Sequence, residues 1–306
     1  MRGQKRVKRR TGRVGRVRSG AGKPRGWSGG AGRRREGDAV SLDMSRYRPF
    51  RDMGVTCRTR EIKEKKVVWV DYTSPPFFQK RFRVRQIGCA DVEATAELWR
   101  QGYPEIYGSP HEFLLFPEKY AALVALRETW AEDARKKRYC VPVVEELATG
   151  RLVAAALLMK EDKNLQIETS LICTHPDYRG QRIMAGLGYA VREMIDRSGA
   201  EYVTTFLETW HDITQRMIGL RGWKVAGIFP GHYTRWQGGN REYRGCTVHL
   251  YRFVGEGEAY ATRPEEWSLL PELRELWECL ERVNQKLAEK HGRTDPEQWR
   301  RLLFEE

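Results

Sequence analysis

Apolar residues in this chain fall into short runs separated by turn-forming residues, and their spacing assigns an element to each. Lys66–Tyr72 is apolar and β-branched and stops at Ser74-Pro75-Pro76, which predicts a strand. From Arg81 the order becomes regular. Strands are predicted at 81–87, 138–145, 152–160, 165–174, 202–208, 224–229 and 246–254. Helices are predicted at 91–103, 117–136, 183–197 and 212–220. The turn Ala148-Thr149-Gly150 joins two of the strands. The resulting order, βααβββαβαββ, describes a mixed α/β domain with a central sheet flanked by helices.

Beyond that domain the pattern changes to a helical stripe. Trp267, Leu270, Leu273, Trp277, Leu280 and Leu287 recur at spacings of three, four and seven. Such a stripe covers the domain's own core, and a homodimer contact is the sharper alternative. A short last helix is expected from Asp295-Pro296, a cap followed by a favoured first-turn residue. Four segments follow: a tail at 1–43, an extension with a strand at 44–80, the α/β domain at 81–255, and a helical extension at 256–306.

Charge changes this picture only at the start of the chain. Residues 1–37 hold 14 of the 55 Lys and Arg but one of the 41 acids, so nearly all of the +14 formal charge sits there. The remainder is close to neutral, which removes the general case for a nucleic-acid surface and leaves only the basic tail as a route to RNA. That tail is Arg, Gly and Ser with few aliphatic side chains, too little to offset the entropy of ordering it. It is read as an unstructured upstream stretch, with Met44 and Met53 as alternative starts that mass spectrometry of the natural N-terminus would separate. An Arg-rich, acid-poor start is also compatible with a transit peptide. No run approaches the roughly 18 apolar residues that span a bilayer. Six scattered cysteines form no CxxC or zinc pattern, so the expectation is a soluble, cytoplasmic protein with no metal.

The stretch that carries chemistry is IETSLICTHPDYRGQRIMAGLGYAVREMI, from Ile167 to Ile195. A strand delivers the chain into the turn Tyr178-Arg179-Gly180-Gln181, and a helix opens just after it. First-turn amides lack helical partners and the helix dipole favours anions, so this corner suits a pyrophosphate, with Arg182 adding charge at its rim. On Pro176, Tyr178, Arg179 and Gly180, together with the element order, the region from Arg81 to Val254 resembles the GNAT superfamily of acetyltransferases. The family's two later small positions are Arg182 and Met184 here. Its contact is made by backbone amides, so the turn can still form with these side chains outward.

The resemblance implies a GNAT-like mixed sheet and an acetyl-CoA-dependent N-acetyltransferase. Acetyl-CoA is the co-substrate, its diphosphate held at Arg179, Gly180, Gln181, Arg182, Ile183 and Met184. Its pantetheine arm would align with the backbone of Ile172, Cys173 and Thr174 as an added strand, whose amides face the thioester oxygen. The acceptor is a primary amine, on a small molecule or a lysine. A non-catalytic acyl-CoA-binding module is the alternative function.

Attack by an amine requires removal of its proton. Glu168, eleven residues before Arg179, stands where family members with a carboxylate base place one; the alternative is a solvent-facing charge at a strand start. His211 is a second base candidate because histidine titrates near neutrality, although His211 and Gln215, four apart, equally fit a capping or packing pair. The family's general acid, a Tyr four residues before the Gly-aromatic pair, is replaced by Ile218 before Gly222-Trp223. Tyr233, in the turn Phe229-Pro230-Gly231-His232-Tyr233, or a water is left for that role. Trp210, His232, Tyr233 and Trp236 suggest an aromatic mouth, and by resemblance the Trp99–Phe116 region supplies its opposite wall.

Overall fold

The computed structural model describes residues 59–61, 64–215, 222–291, 300–301 and 303–304, all within one compact unit. The tail, Ile218, most of the predicted helix 212–220 and the start of the last helix lie outside these residues. The strands are β1 (Phe82–Gln86), β2 (Tyr139–Cys140), β3 (Pro142–Glu146), β4 (Leu152–Glu161), β5 (Gln166–Thr174), β6 (Tyr202–Glu208), β7 (Lys224–Trp236) and β8 (Glu242–Phe253). They form one mixed sheet in the order β1-β3-β4-β5-β6-β8-β7, with β2 beside β4. Every pairing is antiparallel except that of β5 with β6. The helices are α1 (Val92–Gly102), α2 (Tyr120–Leu123), α3 (Trp130–Lys136), α4 (Ile183–Asp196) and α5 (Pro271–His291). The fold class is thus the mixed α/β arrangement expected from the pattern.

Helices cover both faces of the sheet, and β4 shows why. Its sequence LVAAALLMKE is buried almost throughout, as a strand covered on both sides must be. Ala154 and Ala156 face the α4 core with Phe82, Ile167, Leu187 and Met194, whereas Ala155 and Leu157 face the α1 core with Trp99, Leu171 and Cys173. The small alanines let both helices approach. Gly186 does the same from α4, since a Cβ there would lie 2.3 Å from the Phe77 ring. No described helix is long and apolar enough to cross a membrane.

Several elements depart from the pattern. Lys66–Tyr72 is extended but joins no ladder: Val68 N–H donates to Ser198 O (2.9 Å) and Trp69 N–H to Ala134 O (3.0 Å). Val67 and Trp69 are core residues, and the buried Lys160 ammonium binds the carbonyls of Val67, Ala134 and Arg135. The extension is pinned as a strap, with carbonyls at the end of α3 and just after α4 as partners in place of a strand. Helix 117–136 is interrupted because Val124 turns extended and bridges Tyr139, while the Asp133 carboxylate holds Leu126 N–H and Thr129 O–H. The strand 138–145 keeps one register on β4 from Tyr139 to Val144, shifts by one at Glu145, and is split at Val141, before Pro142, which has no N–H to donate.

The C-terminal stripe covers the domain in part. Leu280 and Leu287 pack on Val225, Val248 and Leu250, and Asn284 grips both backbone groups of Val225 (2.7 and 3.1 Å). Trp267 packs on Trp277 (4.7 Å between centroids), while Leu270 and Leu273 stay exposed. Among the described residues five cysteines are free thiols, and no group of His, Cys, Asp and Glu is arranged for a metal.

Candidate functional site

The parallel pairing of β5 and β6 is short. It runs from Gln166↔Tyr202 to Thr169↔Thr205, yet β5 continues to Thr174 and β6 to Glu208. Ser170 is the cause. It is an extra residue in β5, between Leu171↔Leu157 and Thr169↔Leu158, and such a bulge bends its strand and raises the local twist. Beyond it the two strands open into a wedge.

The direction of the backbone inside the wedge follows from one bond. His175 N–H donates to Val153 O (2.9 Å), on the β4 side, and strand groups alternate. The N–H and C=O of Ile172 and Thr174 therefore point away from β4 and into the opening. Those of Cys173 point to β4, so of the three residues expected beside a ligand only Ile172 and Thr174 turn their backbone groups to the opening. The Cys173 side chain is also turned away, its thiol 3.6 Å from Leu98 O and pushed up to about 12 by burial. Ile172, on β5 in the middle of the sheet, is 40 % exposed.

The wedge leads to the predicted anion corner. Pro176–Tyr178 makes a single 3-10 turn, Gly180 takes φ +81° and Arg182 φ +56°, and α4 starts at Ile183 as expected. The corner is tied down on its inner side. Tyr178 O–H donates to Glu146 (2.9 Å), Arg81 bridges Glu146 (2.8 Å) and Gln181 (2.9 Å), and Arg151 reaches His175 Nε2 (2.7 Å). On its outer side Arg179, Gly180 and Arg182 are exposed. Neither arginine meets a carboxylate among the described residues, and no acid occupies the first turn of α4. The Ile183 and Met184 amides have no helical carbonyl to donate to, so the corner presents donors and positive charge together.

Glu168 lies where the wedge closes, level with Thr204 on β6. Its carboxylate accepts from Ser170 Oγ (2.8 Å). Burial raises its pKa above the usual carboxylate range, opposed by the Ser170 bond and by the charges of His232 and Arg138. Nearby, Phe206 of β6 lies against His232 and His249 (4.4 Å each), and Thr247 Oγ1 meets His232 Nδ1 (3.1 Å). Burial holds His249 below the ordinary histidine range, and burial pushes His111 down to about 4, helped by Arg235 and Arg138.

Further along β6, Glu208 Oε1 accepts from Tyr103 O–H (2.6 Å) and from Arg235 (3.3 Å). Burial raises the Tyr103 pKa well above the ordinary phenol range. The Arg235 guanidinium lies 3.7 Å over the Tyr233 ring, which packs against Gly245, and Tyr233 O–H is buried with no hydrogen-bond partner among the described residues. Phe229–Tyr233 is therefore not a turn between elements. It is a bulge inside β7, where four steps from Phe229↔Thr247 to Tyr233↔Gly245 oppose two on β8. Two residues of the Trp99–Phe116 region reach this side of the sheet: Tyr103 meets Glu208, and Tyr107 meets the Trp236 ring edge-on at 5.5 Å.

The predicted residues are thus gathered unevenly. Glu168 shares a neighbourhood with His232, and Tyr233 is stacked with Arg235. His211 lies past the end of β6 against Trp210 (4.3 Å), its Nδ1 buried without a partner among the described residues. Gln215 Nε2 donates to the Glu208 and His211 carbonyls (3.1 and 2.8 Å). Tyr103, Glu208 and Arg235 were missed because partners as far as 105 residues apart leave no local signal, and Ser170 because a bulge exists only in the register against a neighbouring strand.

No family model and no curated protein matches the chain. Solved acetyltransferases are among the structures similar to it. A variant of the spermidine N-acetyltransferase SpeG from Vibrio cholerae is 12% identical, with 58% of this chain and 96% of that chain covered at a TM-score of 0.45. The ribosomal-protein-S18-alanine N-acetyltransferase from Escherichia coli is 14% identical over 56% and 94%, at 0.40. An IAA acetyltransferase from Bacillus cereus is 11% identical over 56% and 99%, also at 0.40. At these scores no residue role passes from those proteins to this chain.

Proposed function

We propose that this chain is a GNAT-type N-acetyltransferase that moves the acetyl group of acetyl-CoA to a primary amine by direct attack within a ternary complex. The observation that carries this reading is the wedge between β5 and β6, whose inward-facing Ile172 and Thr174 groups lead to the Arg179–Met184 corner. A pantetheine arm can add to β5 as a strand while its diphosphate meets the α4 amides, Arg179 and Arg182.

The reaction follows from the groups around the wedge. The amine nitrogen attacks the thioester carbonyl, and the oxygen gains negative charge that an inward β5 N–H stabilises. Glu168, its basicity raised by burial, takes the ammonium proton directly or across one water. The C–S bond then breaks, the amide leaves, and the CoA thiolate takes a proton from Tyr233 or water. His211 is the alternative base at the mouth.

The test is calorimetry of folded protein with CoA and acetyl-CoA, followed by thiol release with a panel of amines. Binding together with amine-dependent release is the expected result. Absence of CoA binding would overturn the proposal. Binding without release from any amine would favour the non-catalytic acyl-CoA module instead.

A further inference from the structure

A cavity of about 350 Å³ lies beside Glu208 and Arg235, lined by Pro104, Glu105, Trp236, Gln237, Gly238 and Tyr243. Its charge balance is one-sided. Arg235 already pairs with Glu208, whereas Glu105 pairs with no basic side chain among the described residues. Oε2 of Glu105 is shut off from solvent and has no hydrogen-bond partner there. Trp236 is held in place by its Nε1 bond to Gly239 O (2.9 Å) and by the Tyr107 ring. Burial raises the Tyr243 pKa, with the charges of Glu208 and Glu105 adding to it and that of Arg235 opposing.

A carboxylate lacking a counter-ion between aromatic walls suits a cation, through charge and through the ring faces. An apolar or anionic occupant would leave the Glu105 carboxylate uncompensated. We infer, resting on the transferase reading above, that the acceptor is an extended aliphatic dication whose second cationic nitrogen sits between Glu105 and the Trp236 and Tyr243 rings. Its length is set by the sheet. Glu168 is level with Thr204, and Glu208 beside the cavity is four residues further along β6, about 13 Å at roughly 3.3 Å per residue. The two nitrogens are thus separated by on the order of 10–15 Å.

The test compares straight-chain diamines of increasing length with monoamines of matched length, by acetyl-CoA-dependent thiol release and by calorimetry on the CoA complex. For the full-length chain, kcat/KM should peak for diamines of that span, about tenfold or more above the matched monoamine. In Glu105→Gln and Trp236→Leu the ratio of diamine to monoamine should fall towards one, chiefly through KM. Salt should erode the preference in the parent protein. Equal use of matched mono- and diamines, or a ratio unchanged in both variants, would overturn the inference while leaving the transferase reading intact. Loss of CoA binding or of all amine-dependent release would overturn both.

Discussion

Glu168→Gln separates a working base from a solvated charge. Glutamine keeps the volume and can still accept from Ser170 Oγ, now 2.8 Å from the carboxylate, so the bulge at Ser170 should survive. What disappears is the capacity to take a proton. A positioned general base contributes about 10²–10⁴ in rate, or roughly 2.7–5.4 kcal/mol of barrier, and kcat should fall by that factor while CoA affinity holds. The pH profile adds an independent reading. Burial raises the folded pKa, so kcat/KM of the parent protein should climb as pH rises through a value above the ordinary carboxylate range. The variant's residual rate should lack that limb. Stability must move the opposite way. Between the unfolded and folded pKa values the native state holds more protons than the unfolded chain, so its advantage, complete below the unfolded pKa, is lost as pH rises through the folded one. Chemical denaturation across that window should show the parent losing stability relative to Glu168→Gln. A variant with unchanged kcat and an intact acid limb would refute the base assignment.

Three further outcomes follow from the same geometry. Ile172→Pro removes an N–H aimed into the wedge and should lower kcat about 10²–10³-fold with the fold retained, whereas Cys173→Pro removes a bond to β4 and should fail in thermal unfolding first. Gly180→Ala must hold φ near +81°, which should cost about 1–2 kcal/mol in denaturant titration, and Gly180→Asn should lose less because asparagine tolerates the left-handed region. Asn284→Leu strands the buried N–H and C=O of Val225, on the order of 1–3 kcal/mol for each group, and the melting temperature should drop accordingly.

Elements were legible wherever their signals were local. Tyr202–Glu208 matches its strand end to end, and α4 begins at Ile183 because turn chemistry and apolar spacing both mark that point. Distant partners were not legible. Lys66–Tyr72 has the composition of a strand, but its N–H groups find carbonyls at Ser198 and Ala134, so tertiary contacts decide its state. The segment 117–136 reads as one helix until Val124 is claimed by Tyr139, a bridge that no helical periodicity predicts.

The site divides along the same line. The turn at Pro176–Tyr178 and the helix start at Ile183 could be read directly because they are built from consecutive residues. The wedge could not, since it exists only through the register of β5 against two neighbours. Shifting Ser170 into the ladder would turn Glu168 to the other face of the sheet, because each step reverses a strand side chain. Which face of the sheet Glu168 takes is thus decided by one unpaired residue two positions away. Likewise the two extra residues in β7 set which face Tyr233 and Arg235 share. Bulges in β5 and β7, flanking the shared β6 and β8, therefore aim Glu168, Tyr233 and Arg235, while the turn before α4 is fixed independently by the Tyr178–Glu146–Arg81 ties. Substitutions at the bulges should alter turnover with CoA affinity preserved, and substitutions at the ties should do the reverse.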